Sequence, residues 1–185
     1  MRRSAAAVAT AVLTATAAAG TLMLASPASA DVPQGWAHIQ NVGTGQYLDD
    51  YAHNTNQGAA VYTWQQTGQS NQWWWVANNP GYTVSFSSYE TQQSGGLNAW
   101  WYRNLTRNSN NQGELGPQQV WVGGSGFSRG LPGEEKWWYA AGDAGTYIHS
   151  DAWNNDCLTA HPTGQVTVEG CRTGDHSQQW NIIYN

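Results

Sequence analysis

Beyond residue 30 the sequence has no second long apolar run, and a membrane-spanning helix needs about 20 such residues. The i, i+3, i+4, i+7 apolar spacing of an amphipathic helix is also missing there. A spanning helix and a helical bundle are therefore excluded for this stretch. Positive charge is scarce, with seven Lys and Arg in 185 residues, two of them at Arg2 and Arg3. Nucleic-acid binding needs clustered Lys and Arg against phosphate, so that function class falls away as well. Cysteine occurs only twice, as Cys157 and Cys171, and the five histidines are scattered. No metal site is expected from so few ligands at such spacing. Aliphatic residues are few, which taken alone would suggest disorder.

Aromatic residues argue the other way. The chain has twelve Trp and nine Tyr, and each one buried removes about 150–250 Å² from water. A core can be built from them where aliphatics are short.

The first thirty residues form a separate unit. A basic "MRR", a small and apolar run and an "ASA" ending at Ala30 read as a secretory signal peptide. The mature chain is then 31–185, 155 residues with five Lys/Arg against twelve Asp/Glu, a net charge of −7. One domain is the natural count at that length, and the expected location is extracellular. In an exported chain an even cysteine pair is expected to be a disulfide between Cys157 and Cys171. A loop of that size stabilises by roughly 3 kcal/mol in the chain-entropy model.

Short runs such as "AAVYTW", "YTVSF", "QVWV", "TYIHS", "QVTVEG" and "WNIIY" are bounded by Gly, Asn, Asp and Pro. These are strand and turn signals, and together they predict an all-β domain. Near the ends of strand-like runs the triplet Gln-x-Trp recurs, ending at Trp74, Trp121 and Trp180. Its uneven spacing speaks against a stacked solenoid. Three unequal copies suit a closed fold with pseudo-threefold symmetry, with repeats at about 36–77, 78–122 and 137–185.

Three Gln-x-Trp repeats in such a chain resemble the ricin B-type, or R-type, lectin family. That resemblance implies a single-domain β-trefoil in which Trp74, Trp121 and Trp180 enter the shared core. It also implies a carbohydrate site built from an early Asp, a mid-repeat aromatic and an Asn before Gln-x-Trp. In the first repeat these are Asp49, Trp64 with Tyr62 on the same strand face, and Asn71 with Gln72. A sugar offers hydroxyls and one apolar C–H face, which a carboxylate, an amide and an indole can match. In the second repeat Ser87 falls at the Asp position, leaving a lesser site of Tyr102 and Gln118. In the third, Thr159, Glu169 and Ser177 occupy the three positions, and no site of this type is expected. The first repeat is also similar to actinohivin, a mannose-binding trefoil lectin, through Asp49 and Tyr62. Trp64 and Asn71 fit a galactose-type arrangement better.

No catalytic constellation stands out. Asp49 and Asp50 are adjacent and point apart, Glu134 and Glu135 lie in a surface-like "LPGEEK", and no histidine sits in a motif. The expected protein is a secreted, non-enzymatic lectin without a cofactor, binding a glycan mainly through the first repeat. The competing expectation is a targeting or scaffold subunit of a toxin-like complex, contacting protein through aromatic surface. The aromatics in question are "WW" at 100–101, "KWWY" at 136–139, and the row "WWW" at 73–75. In that row only Trp74 is required by the repeat. Trp73 and Trp75 must be covered, by an insertion such as "KWWY", or exposed as a contact surface.

Overall fold

The computed structural model describes residues 33–54, 59–79, 81–90, 103–107, 118–124, 136–152 and 156–185. Twelve strands lie among them. The first repeat supplies β1 (Gly35–Asn41), β2 (Tyr47–Asp50), β3 (Ala59–Trp64) and β4 (Trp74–Asn79). The second supplies β5 (Thr83–Ser88), β6 (Arg103–Arg107), β7 (Gln118–Gly124) and β8 (Trp137–Ala141). The third supplies β9 (Thr146–Ser150), β10 (Asp156–Ala160), β11 (Val166–Gly170) and β12 (Gln179–Tyr184).

The first and fourth strand of each repeat join into a closed ring. β1 pairs β4, β4 pairs β5, β5 pairs β8, β8 pairs β9, β9 pairs β12, and β12 returns to β1, all antiparallel. Closure removes the unpaired edges that an open sheet would expose. The hairpins β2–β3, β6–β7 and β10–β11 cap one end, and β7 pairs with both β3 and β11. A bridge between Tyr62 and Gln165 completes the triangle. This is the β-trefoil, and all of it falls in one domain.

The core follows the threefold pattern. Trp74, Trp137 and Trp180 are wholly buried, together with Leu48, Leu105 and Leu158. Each indole Nε1 donates to the backbone carbonyl of the matching leucine, at 3.0, 3.1 and 2.9 Å. A buried indole N–H without a partner would be costly, so each bond fixes its ring while the ring fills the barrel. Ile39, Val76, Phe86 and Ile148 pack between them.

The second repeat differs from its sequence reading. Trp121 lies on β7, a third strand, opposite Thr106 and Ala60. The fourth strand begins at Trp137, in "EEKWWY", so Glu135-Lys136-Trp137 stands where the other repeats have Gln-x-Trp. The repeat runs from β5 to β8 rather than over 78–122. A core tryptophan needs a barrel strand beneath it and a leucine carbonyl from the repeat's second strand, and the triplet alone encodes neither. The side chain of Trp121 lies outside the described residues, as do Trp100 and Trp101.

The Cys157–Cys171 disulfide is formed, with Cα atoms 5.0 Å apart, tying β10 to the residue after β11. The three tryptophans at 73–75 divide three ways. Trp74 is core, Trp73 is half-buried with its ring 3.7 Å from that of His38, and Trp75 is exposed with its edge on Trp36. Their neighbours come from β1 and not from "KWWY". Trp138 of that segment stacks on His149, and Tyr139 lies against Phe86.

Candidate functional site

The alternation of β2 separates its two aspartates. Leu48 enters the core, Asp49 faces the cap side opposite Tyr62, and Asp50 turns back into the protein. Asp49 is 5 % exposed and Asp50 is fully buried.

Asp49 is held from both sides. Asn71 Nδ2 donates to its Oδ1 and Gln72 Nε2 to its Oδ2, each at 2.9 Å. A carboxylate accepts at about four lone-pair positions, so roughly two remain. Burial raises the Asp49 pKa above the usual carboxylate range, opposed by the Gln72 bond, the nearby His53 and the Asn71 bond.

Gln72 belongs to the frame and not to the surface. It is fully buried, and its Nε2 also donates to the carbonyl of Gln65 while its Oε1 accepts from the Thr67 N–H. Gln178 does the same in the third repeat, donating to Thr159 Oγ1 and the Gly170 carbonyl and accepting from the Arg172 N–H. The glutamine of the triplet therefore locks the loop after the third strand to the second strand. The reading of Gln72 as a direct sugar contact is corrected accordingly: its amide is fully engaged within the protein. Asn71 is also buried, and its Oδ1 has no partner among the described residues.

The aromatic wall is open. Trp64 is 59 % exposed, and Tyr62, two residues earlier on the same face, is partly buried. Tyr51 is exposed, with its ring 5.0 Å from that of Tyr62. Sequence reasoning passed over Tyr51, although it directly follows "LDD". Asp49, Tyr62, Trp64 and Asn71 are thus brought to one end of one hairpin.

Behind them lies a polar cluster with no sequence signature. Asp50 Oδ2 accepts from Ser88 Oγ at 2.8 Å. Burial pushes its pKa up to about 7, with Glu90 and Asp49 adding in the same sense. His53 Nδ1 meets Glu90 Oε1 at 2.9 Å and Nε2 meets Gln69 Oε1 at 3.0 Å. The Glu90 bond in particular raises the His53 pKa.

The other repeats do not reproduce the site. In register, Thr106 and not Ser87 corresponds to Asp49, Trp121 to Tyr62, and Gly123 to Trp64. Gln118 lies on β7 opposite Val168, away from the start of a fourth strand, which removes it from the position assigned to it. Tyr102 lies outside the described residues. In the third repeat Glu169 stands at the Trp64 position, bonded to Thr167, His161 and Arg172. Arg172 also pairs with Asp175 at 2.7 Å. Internal ion pairs there occupy the place of an aromatic platform.

Among the described residues, His149, Cys157 and Cys171 come together as a possible ligand group. Both sulfurs are in the disulfide, so neither offers a thiolate.

Residues 24–107 match the family described as ricin-type beta-trefoil lectin domain-like. The match spans the first repeat and the second through β6. No curated protein matches the chain by sequence. The fold is similar to that of the Rhizoctonia solani agglutinin, at TM-score 0.66 and 18% identity, covering 84% of this chain and 99% of that one. It is similar to the designed threefold-symmetric protein ThreeFoil, at 0.64 and 16%, covering 82% and 99%. It is also similar to part of a mosquitocidal holotoxin, at 0.65 and 13%, covering 83% of this chain and 18% of that one.

Proposed function

We propose that the protein is an exported, non-enzymatic lectin that binds a galactose-type glycan through the first repeat. The observation that carries this reading is the Asp49 carboxylate, fixed by Asn71 and Gln72 beside the exposed Trp64. In this reading Asp49 accepts from two vicinal hydroxyls, Trp64 lies against the C–H face of the ring, and Tyr62 and Tyr51 flank it. Asn71 and Gln72 act by holding the carboxylate still, which lowers the ordering cost of binding. The ricin-type family match supports carbohydrate binding as the general class.

A glycan array with the chain from Asp31 onward tests the reading. Galactose-terminated glycans are expected to bind, and Asp49→Ala to abolish the signal. An array with no galactose-type or mannose-type signal would refute it. Export is tested by N-terminal sequencing of protein recovered from culture supernatant, which is expected to begin at Asp31.

A second reading is a targeting subunit of a toxin-like assembly. It draws on the likeness to a segment of a holotoxin and on the exposed Trp75. Recovery of the monomer alone in a pull-down from supernatant would count against it.

A further inference from the structure

The loop that holds Asp49 has a second face. Gly68 and Ser70 on that loop, with Trp36, Trp73, Tyr89 and Asn185, line an open groove of about 350 Å³. That volume falls within the range of small-ligand pockets, about 300–1,000 Å³. Its aromatic members are braced. Trp36 meets Tyr89 edge to face at 4.8 Å, and the Trp73 ring lies 3.7 Å from that of His38. The Tyr89 N–H donates to the Trp73 carbonyl at 3.0 Å, and the Asn185 N–H to the Trp36 carbonyl at 3.2 Å.

Gln72 joins the groove to the Asp49 site. Its side chain holds Asp49, and its carbonyl accepts from His38 Nδ1 at 2.9 Å, under the ring that touches Trp73. One short, internally bonded segment, 65–73, therefore carries Gln72 and Asn71 towards Asp49 and Ser70 and Trp73 towards the groove. The spacing between the two places is fixed.

The lining selects the ligand. Among the described residues that line the groove none is Lys, Arg, Asp or Glu, and the Glu90 carboxylate that Ser70 Oγ meets is already bonded to His53. Indole and phenol surfaces with a hydroxyl and an amide at the rim match a pyranose, which pairs an apolar face with neutral hydroxyls. We infer that the groove is a second sugar subsite, and that the protein binds an oligosaccharide lying across the 65–73 loop rather than one terminal sugar. This rests on the glycan-binding reading above and extends it to the length of the ligand.

Calorimetric titration with β-linked galacto-oligosaccharides of one to six units, and a parallel mannose series, tests the inference. Affinity is expected to rise at least tenfold between one unit and four. Tyr89→Ala and Trp36→Leu, each checked for native melting, should remove that gain and leave the single-sugar affinity within twofold. Asp49→Ala should remove binding at every length. Binding that is independent of length, or a gain that survives both groove variants, overturns the subsite alone. Absence of binding at every length in both series overturns the lectin reading and the subsite with it.

Discussion

The indole nitrogen of Trp137 donates to the carbonyl of Leu105 at 3.1 Å, repeating the bond that Trp74 makes to Leu48. A segment with no glutamine triplet thus completes the threefold core. Trp137→Ala is expected to cost about 3–5 kcal/mol, the range for emptying a large aromatic site. Trp137→Phe keeps most of the apolar volume and leaves the Leu105 carbonyl unpaired, for a loss of about 1–3 kcal/mol. Urea denaturation of the two variants measures both.

In the proposed reading Trp64 contacts the ligand, and its exposure leaves it little part in holding the fold. It is 59 % exposed, and surface substitutions away from special features stay within about ±0.5 kcal/mol. Trp64→Ala should therefore lower glycan affinity at least tenfold with an unchanged melting temperature, read by calorimetric titration beside a thermal melt.

Gln72 and Asp49 should separate in the same pair of measurements. Asp49→Asn removes the charged acceptor and should abolish binding. Gln72→Ala leaves the Thr67 N–H and one Asp49 oxygen without their partner, so it should cost about 1–3 kcal/mol and weaken binding as a consequence. A Gln72→Ala protein of full stability and no affinity would contradict the framing role.

Asp50 makes stability depend on pH. Its pKa is about 7 in the folded protein against 3.8 when unperturbed, so between those values the folded state holds the extra proton. Stability from this group is full below about pH 4 and declines as pH rises towards and through 7, where a buried charge must form. The decline is on the order of 4 kcal/mol at 1.36 kcal/mol per pH unit. Asp49 and His53, both with raised pKa values, push in the same direction. Asp50→Asn should flatten most of the slope, as seen by denaturation at pH 5 and pH 8.

Reduction of Cys157–Cys171 should lower stability by roughly 3 kcal/mol, the entropy of a loop with a separation of 14 residues. The first-repeat site lies on other strands, so a Cys157→Ser, Cys171→Ser protein that remains folded should keep its glycan affinity. Titration and melting on that double variant check both halves.

How far the sequence spoke for itself depended on locality. Asp49, Tyr62, Trp64 and Asn71 lie within one repeat; the resemblance to the lectin family's Asp, aromatic and Asn pattern groups three of them, and strand alternation adds Tyr62 to the face of Trp64. Trp74 and Trp180 announced themselves through the triplet. The second repeat misled because Gln119-Val120-Trp121 imitates the triplet on the wrong strand, while Glu135 replaces the glutamine at the true position. The cluster of His53 with Glu90, 37 residues apart, and of Asp50 with Ser88 is not legible, because it depends on the end of β5 and the residues after it meeting the first hairpin across the repeat boundary. The ring neighbours of Trp73 and Trp75 are illegible for the same reason: His38 and Trp36 come from β1, a barrel neighbour distant in sequence, and Trp75 stays exposed.

The pairing of β1 with β12, which sets Ala37 opposite Tyr184, has a kinetic meaning. The ring cannot close until its most distant strands meet, so closure joins segments separated by nearly the whole described chain. Topologies dominated by such remote pairings fold in milliseconds to seconds rather than microseconds. Until β12 docks, β1 and β9 each present a free edge, and a protease or a second unfinished molecule can reach them. Once it has docked, no barrel strand can leave without breaking two partnerships at once, so the β1–β12 pairing acts as the latch of the whole ring.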